Sequence, residues 1–388
     1  MNFFKTVLVR TLTAIALLLV LPAQAADVIR VGTTQSLTGR FAQEGTAQLE
    51  GLRMWVDDIN ARGALLGKRV ELVHYDDHSD AERVTWLYGE LINKHKVDLL
   101  IGPYSSELTM AASDVAESAN FPMVTAAASA DQIWNRGYKN IFGIDTPSSN
   151  YMDLAVSEAA EHGAKTVALF YAEGDFAEDV AKGVRREAKE HGLRIIFDEK
   201  YSPTKADFAR LAAKLKALDV DIVLGATYLS DSVAIGKALG PGKRLDVDMV
   251  ALTVGPALRE FHDMLDGNVE GVVGVVQWLR TARMPKAQDF SYRFRQMHGH
   301  NPAVHATIGY SAGQVTESAV RLAGSLDKNA VRQQLGEMEF RSLLGFYKVD
   351  STGRQIGKTN FLLQWQDDRR RLVAPDLIAE RKLIYPRP

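Results

Sequence analysis

From Val28 to Gly225 the sequence keeps one rhythm: short runs rich in Val, Ile and Leu alternate with stretches whose apolar residues recur every three or four positions. A strand covered on both faces needs a continuous apolar run, whereas a helix laid over it needs only an apolar stripe, so this alternation predicts an α/β fold with parallel sheets. Residues 28–32 read as the first strand. Leu49, Leu52, Val56 and Ile59 then mark one face of a helix that closes at Asn60-Ala61-Arg62-Gly63, where Gly63 suits a left-handed cap. A strand at 69–75, a helix over 81–95, a strand at 97–101, a helix over 108–119 and a strand at 122–125 complete one series. A second opens after Pro147, with a helix to His162, strands at 166–171, 194–197 and 221–225, and helices over 175–191 and 207–218. The like layout of the two series predicts two lobes. No Gly/Ser-rich or Pro-rich linker separates them, so short ordered segments join them rather than a tether.

The N-terminus has the three parts of a secretory signal in order: Lys5 and Arg10, an apolar stretch from Ala14 to Leu21, and Ala23-Gln24-Ala25 before Ala26-Asp27. That stretch falls well short of the roughly 20 apolar residues needed to cross a bilayer, which predicts cleavage after Ala25 and release into a Gram-negative periplasm. The chain has no cysteine, which excludes a disulfide framework, a thiolate metal site and a lipidated cysteine. About 360 residues remain after cleavage, enough for two domains. The formal charge is −2, and leaving out Lys5 and Arg10 takes it to −4, which argues against nucleic acid as a partner and for a small solute.

Three motifs suggest other chemistry. Gly309-Tyr310-Ser311-Ala312-Gly313 matches the nucleophile elbow of serine hydrolases, but the last of the nine histidines, His305, lies upstream of Ser311, where that fold needs its base downstream. The flanking Ile308, Val315, Ala319 and Leu322 instead mark the apolar face of a helix. Gly353-Arg354-Gln355-Ile356-Gly357-Lys358-Thr359 resembles a phosphate-binding loop but has three residues between its glycines where the cradle needs four, and reads as a turn joining two strands. His74-Tyr75-Asp76-Asp77-His78 offers metal-ligand residue types, but strand alternation sends neighbours to opposite faces.

A set of segments, in order along nearly the whole mature chain, resembles the type I periplasmic binding proteins of branched-chain amino acid and amide importers, the group typified by leucine/isoleucine/valine-binding proteins. The segments are Val31-Gly32 through Leu37-Thr38-Gly39, Asp57 to Gly63, Tyr75-Asp76-Asp77, Ile101-Gly102-Pro103-Tyr104-Ser105-Ser106, Ala126-Ala127-Ala128-Ser129, Arg136-Gly137-Tyr138 and Phe142. The resemblance implies two Rossmann-like lobes joined by a three-crossover hinge, with the solute held between them. Crossovers near Pro147, Trp278 and Asp350 would divide the chain into a first lobe of 26–147 with 279–350 and a second of 148–278 with 351–388. It implies a receptor without cofactor, metal or enzymatic step, whose partners are a small carboxylate-bearing solute, an amino acid or amide, and an ABC permease in the inner membrane.

The same resemblance implies that Ser106, the Ala127 N–H and Ser129 hold the solute's carboxylate. Ser106 stands just before a helix, where an anion meets unpaired N–H groups and the positive end of the helix dipole. The alternative is that both serines are only helix caps. Phe176 and Tyr228 correspond to pocket walls of the second lobe or else are ordinary core residues, and Tyr104 and His305 would shape the rest. Three positions depart from the family pattern, among them His305, on which a later pocket aromatic falls. The acid that pairs with an amino group falls on the uncharged Thr253, and a pocket aromatic falls on Glu44, which either supplies the missing charge or is a solvated loop carboxylate. Without an amine partner the solute would be an aromatic acid. A sensor subunit presenting closed lobes to a membrane receptor, and a secreted hydrolase around Ser311, are the rivals.

Overall fold

A computed structural model describes residues 28–239, 245–282 and 284–388, so the signal segment lies outside the described residues. The first lobe opens with β1 (Val28–Gln35), α1 (Ala42–Ala61), β2 (Arg69–Asp76), α2 (Ala81–Asn93), β3 (Leu99–Ile101), α3 (Ser106–Ser118), β4 (Met123–Val124) and β5 (Ile141–Phe142). These strands form one all-parallel sheet in the order β2-β1-β3-β4-β5.

The second lobe follows with α4 (Asp153–Glu161), β6 (Thr166–Ala172), α5 (Asp175–Glu190), β7 (Arg194–Tyr201), α6 (Phe208–Lys216), β8 (Ile222–Ala226), α7 (Leu229–Leu239), β9 (Met249–Leu252), α8 (Arg259–Met264) and β10 (Val273–Val276). The chain then returns to the first lobe for α9 (Ala287–His298), α10 (Val304–Ala323), α11 (Lys328–Glu337) and the hairpin of β11 (Phe340–Ser342) and β12 (Gly345–Tyr347). It ends in the second lobe with β13 (Phe361–Gln366) and β14 (Arg369–Ala374). The second sheet runs β14-β13-β10-β9-β8-β6-β7. Its first five strands in chain order are parallel, while β13 runs antiparallel to β10 and β14 antiparallel to β13, an extension the alternation upstream does not foretell.

The first sheet is sandwiched between one core containing Trp55, Ile101, Phe290 and Val315 and another containing Tyr88, Leu108, Phe121 and Trp134. A third core, with Val167, Phe170, Leu224 and Trp365, fills the second lobe. Between these cores the chain crosses three times: between Ile144 and Met152, between Val276 and Ala287, and between Val349 and Phe361. The crossings are tied together. Gln277 accepts from the Thr146 N–H (3.1 Å) and donates to Asp145 Oδ1 (3.0 Å), and the Gly143 N–H donates to the Gly353 carbonyl (2.8 Å).

The motifs fall inside this frame. Gly309, Ser311 and Gly313 lie in the middle of α10, which crosses α1 at backbone contact: a Cβ on Gly309 would lie 2.2 Å from the Gln48 carbonyl oxygen, and one on Gly51 1.8 Å from that of Ala306. Buried Ser311 Oγ accepts from the Leu344 N–H (3.0 Å). Ile308, Val315 and Ala319 are buried as the apolar face requires, but Leu322, in the last turn of α10, is 60 % exposed. Gly353 takes a left-handed turn (φ 85°) seated so closely on β5 that a Cβ would meet the Ile141 carbonyl. His74 faces Arg53, while Asp76 accepts from the Leu37 and His78 N–H groups and Asp77 from the Thr34 and Ser36 hydroxyls.

Candidate functional site

In both sheets the strand order reverses beside the first strand of the lobe, β1 against β3 in one and β6 against β8 in the other. Ligands of open parallel sheets sit in the crevice beyond the carboxyl ends of the strands at such a reversal. The two crevices face each other here. The segments after β3, β4 and β5 from one side and after β6, β8, β9 and β10 from the other enclose a cavity with about 40 Å³ open to the centres of water molecules, closed down by contact between the lobes. Across the rim the Asp131 N–H donates to Asp179 Oδ2 (2.9 Å), and the Phe41 and Tyr228 rings meet at 5.5 Å. A larger hollow of 480 Å³ inside the second lobe, bordered by Leu239 and Leu245, shares no residue with this cavity.

Tyr104, Ser106, Ala127 and Ser129 come to the cavity from the first sheet, Phe176 and Tyr228 from the second, and His305 from the first turn of α10. Neither serine caps α3: the N-cap residue is Ser105, and no side chain bonds to the start of the helix. Instead Ser106 Oγ accepts from the Ser129 and Ala130 N–H groups (3.1 Å each), which leaves its own proton free to donate into the cavity. Ser129 Oγ lies 2.9 Å from Ser148 Oγ. The Ala127 N–H donates to Asp145 Oδ2 (2.8 Å), so it is a carboxylate of the chain that takes it up.

Glu44 and Thr253 are brought near but not onto the wall. Glu44, in the first turn of α1, is 3 % exposed, and burial pushes its carboxyl up to about 7, with the charge of Glu260 on the opposite lobe adding to the shift. It is not a solvated loop carboxylate. The Thr253 hydroxyl donates to the Thr227 carbonyl (2.5 Å) and accepts from the Thr227 N–H (2.8 Å), so it is spent on its own lobe, and the next residue, Val254, lines the cavity.

Several wall residues escaped sequence reasoning: Ser105, Asp145, Tyr151, Gln277 and Ile308. Asp145 and Gln277 come from the lobe crossings, so the cavity wall is continuous with the hinge. Burial raises the Asp145 carboxyl, opposed by the charge of Lys358 and by hydrogen bonds from Gln277, Ala127 and Ala128. Burial also lowers the Lys358 ammonium, against the pull of Asp145. A chain of rings wraps the cavity: Tyr151 meets Phe176 (5.3 Å), Phe176 meets Tyr228 (5.6 Å), Tyr228 meets Phe41, Phe41 meets Tyr104 (5.3 Å) and Tyr104 meets His305 (5.0 Å). Burial lowers the His305 imidazole to about 4, which leaves it neutral near pH 7.

Serine hydroxyls, one buried carboxylate and apolar ring faces make up the wall, a mix of few polar groups and apolar surface of the kind that lines small-molecule pockets. Similarity to known proteins agrees. The sequence profile of a periplasmic binding protein family matches residues 28–370. A Leu/Ile/Val-binding protein homolog 7 from Brucella melitensis is 25 % identical over 393 residues, covering 96 % of this chain and 98 % of its own. Among solved structures, a leucine-binding protein LivK from Thermotoga maritima is 21 % identical with a TM-score of 0.80, covering 89 % of this chain and 98 % of that one. A solute-binding protein of an ABC transporter from Rhodopseudomonas palustris BisB5, in complex with 3,4-dihydroxybenzoic acid, is 18 % identical with a TM-score of 0.81 and covers 92 % and 98 %. With two α/β lobes closing on a hinge-lined cleft and a family match over nearly all of its length, the chain belongs to the periplasmic binding protein family, whose members bind solutes rather than transform them.

Proposed function

We propose that the chain is the solute-binding component of an ABC importer, exported by a signal cleaved after Ala25, which holds a small carboxylate-bearing solute between its lobes and hands it to an inner-membrane permease. The lobes divide near Pro147, Trp278 and Asp350. The observation that carries the reading is the meeting of the Ser106 and Ser129 hydroxyls with the uncapped start of α3 in one water-poor cleft. There a carboxylate gains charge-assisted hydrogen bonds and the favourable end of the helix dipole. An amino acid or related amide suits the wall because Asp145, the one carboxylate lining the cavity among the described residues, keeps lone-pair capacity beyond its bonds to Ala127, Ala128 and Gln277 for an amine. An ammonium group beside it would add to the charge of Lys358 in offsetting the cost of burying the carboxylate.

A second reading, an aromatic acid, draws on the ring chain around the cavity and on Thr253, which stands uncharged where the resemblance implies an amine partner. Titration calorimetry of residues 26–388 with amino acids, their des-amino acids and aromatic acids separates the two. Binding of an amino acid, lost on removing its amine and weakened at least tenfold in Asp145→Asn, supports the first. Binding of aromatic acids indifferent to Asp145→Asn supports the second, and binding of neither class overturns the proposal.

A further inference from the structure

Two buried polar atoms on the cavity wall have no partner, and they point to what the solute carries besides its carboxylate. Ser105 is 2 % exposed and occupies the N-cap of α3, yet its hydroxyl caps nothing and bonds to nothing. His305 is 6 % exposed, with its ring edge-on to Tyr104 and its Nδ1 without a partner. The other serines and the carboxylate beside them are engaged: Ser106 with Ser129 and Ala130, Ser129 with Ser148, and Asp145 with Ala127 and Gln277. Native chains keep few buried polar atoms unpaired, because each one costs its desolvation without return. Two such atoms in one small cavity are therefore built to be completed by what enters it.

We infer that Ser105 and His305 select, among carboxylate-bearing solutes, those that carry a neutral hydroxyl or carboxamide group, and reject their aliphatic or unsubstituted counterparts. The inference rests on the carboxylate reading above. A serine hydroxyl donates or accepts, and the unpaired imidazole nitrogen does one or the other according to its tautomer, so the two wall atoms are completed by a solute group that forms hydrogen bonds of its own. Hydroxyl and carboxamide groups meet that requirement. A branched aliphatic side chain would leave both wall atoms dry and unpaired, and sites built to hydrogen-bond a polar group discriminate strongly against the analogue that lacks it. A second charged group would add its own desolvation cost in a cavity whose one lining carboxylate, Asp145, already bonds to Ala127 and Gln277.

The test measures dissociation constants for residues 26–388 with pairs matched in shape: threonine and valine, asparagine and leucine, 4-hydroxybenzoate and benzoate. The polar member of the pair that binds is expected to bind about tenfold more tightly or better, and His305→Phe should bring the ratio close to one. An apolar member that binds the native chain as tightly as its polar partner overturns the inference, and this comparison needs no variant to fold. The carboxylate-free pair threoninol and valinol keeps the two claims apart. Preference for threoninol without any need for a carboxylate would refute the carboxylate reading and leave this inference standing. Carboxylate-dependent binding without preference for the polar member would do the reverse, and no binding by any pair refutes both.

Discussion

Glu44 and His305 both act on the surroundings of Tyr104, one by its charge and one by ring contact, and they respond to pH with opposite sign. Glu44 ionises near pH 7 in the folded chain against an ordinary 4.5, so between those values the folded state holds more protons than the unfolded one. Its stabilising effect is full below about pH 4.5 and is lost as pH rises through about 7, a change of order 3 kcal/mol. Glu44→Gln is therefore expected to raise the melting temperature at pH 8 and to leave it nearly unchanged at pH 5; equal effects at both would refute the assignment. His305 is depressed from 6.5 to about 4, so its contribution is full above pH 6.5 and falls as pH drops toward 4. The neighbouring serines make a second contrast. Ser106→Ala orphans the Ser129 and Ala130 N–H groups and should cost about 2 kcal/mol in denaturant unfolding, whereas Ser105→Ala removes a hydroxyl without partners and should stay within about 0.5 kcal/mol.

Between elements, the crossing of α1 and α10 is what the Gly309–Gly313 spacing serves. Gly309→Ala or Gly51→Ala would drive a methyl group into backbone and should cost about 3 kcal/mol, while Gly89→Ala, on a face of α2 with open space, should gain about 0.5 kcal/mol from helix propensity. Shifts in urea midpoint at constant slope would report both. The strands and helices of the two βα series were legible because the inner strands are buried on both faces, the edge strands β2 and β7 carry β-branched or aromatic residues, and the helices show an apolar stripe; observed ends differ from the sequence pattern by a few residues, as at 97–101 against Leu99–Ile101. β14 was not legible, since Arg369, Arg370 and Arg371 break the apolar run and only pairing with β13 makes it a strand. The site divides in the same way. Ser106, Ala127 and Ser129 follow strand ends and were pointed to by the family resemblance, but Asp145 and Gln277 are adjacent only because two crossings meet, which no local pattern encodes.

At the scale of the whole molecule, the cleft and the hinge are one structure. Asp145 and Gln277 line the cavity and also tie two of the three crossings, so a solute that engages Asp145 acts on the segment about which the lobes rotate. Gln277→Ala should loosen that coupling, and small-angle scattering is expected to show a larger radius of gyration for the variant than for the native chain when both carry solute; identical radii would count against the link. The central claim, that this cleft holds a small carboxylate-bearing solute, is tested most directly by thermal unfolding of residues 26–388 against a panel of amino acids, amides and aromatic acids. A solute at about 100 times its dissociation constant adds roughly 2.7 kcal/mol to the folded state, about 4 °C for a chain of this size. Such a rise is expected with at least one carboxylate-bearing solute, lost when its carboxylate is replaced by an ester and lost in Ser106→Ala and Ser129→Ala. A rise that survives all three changes, or no rise with any member of the panel, would contradict it.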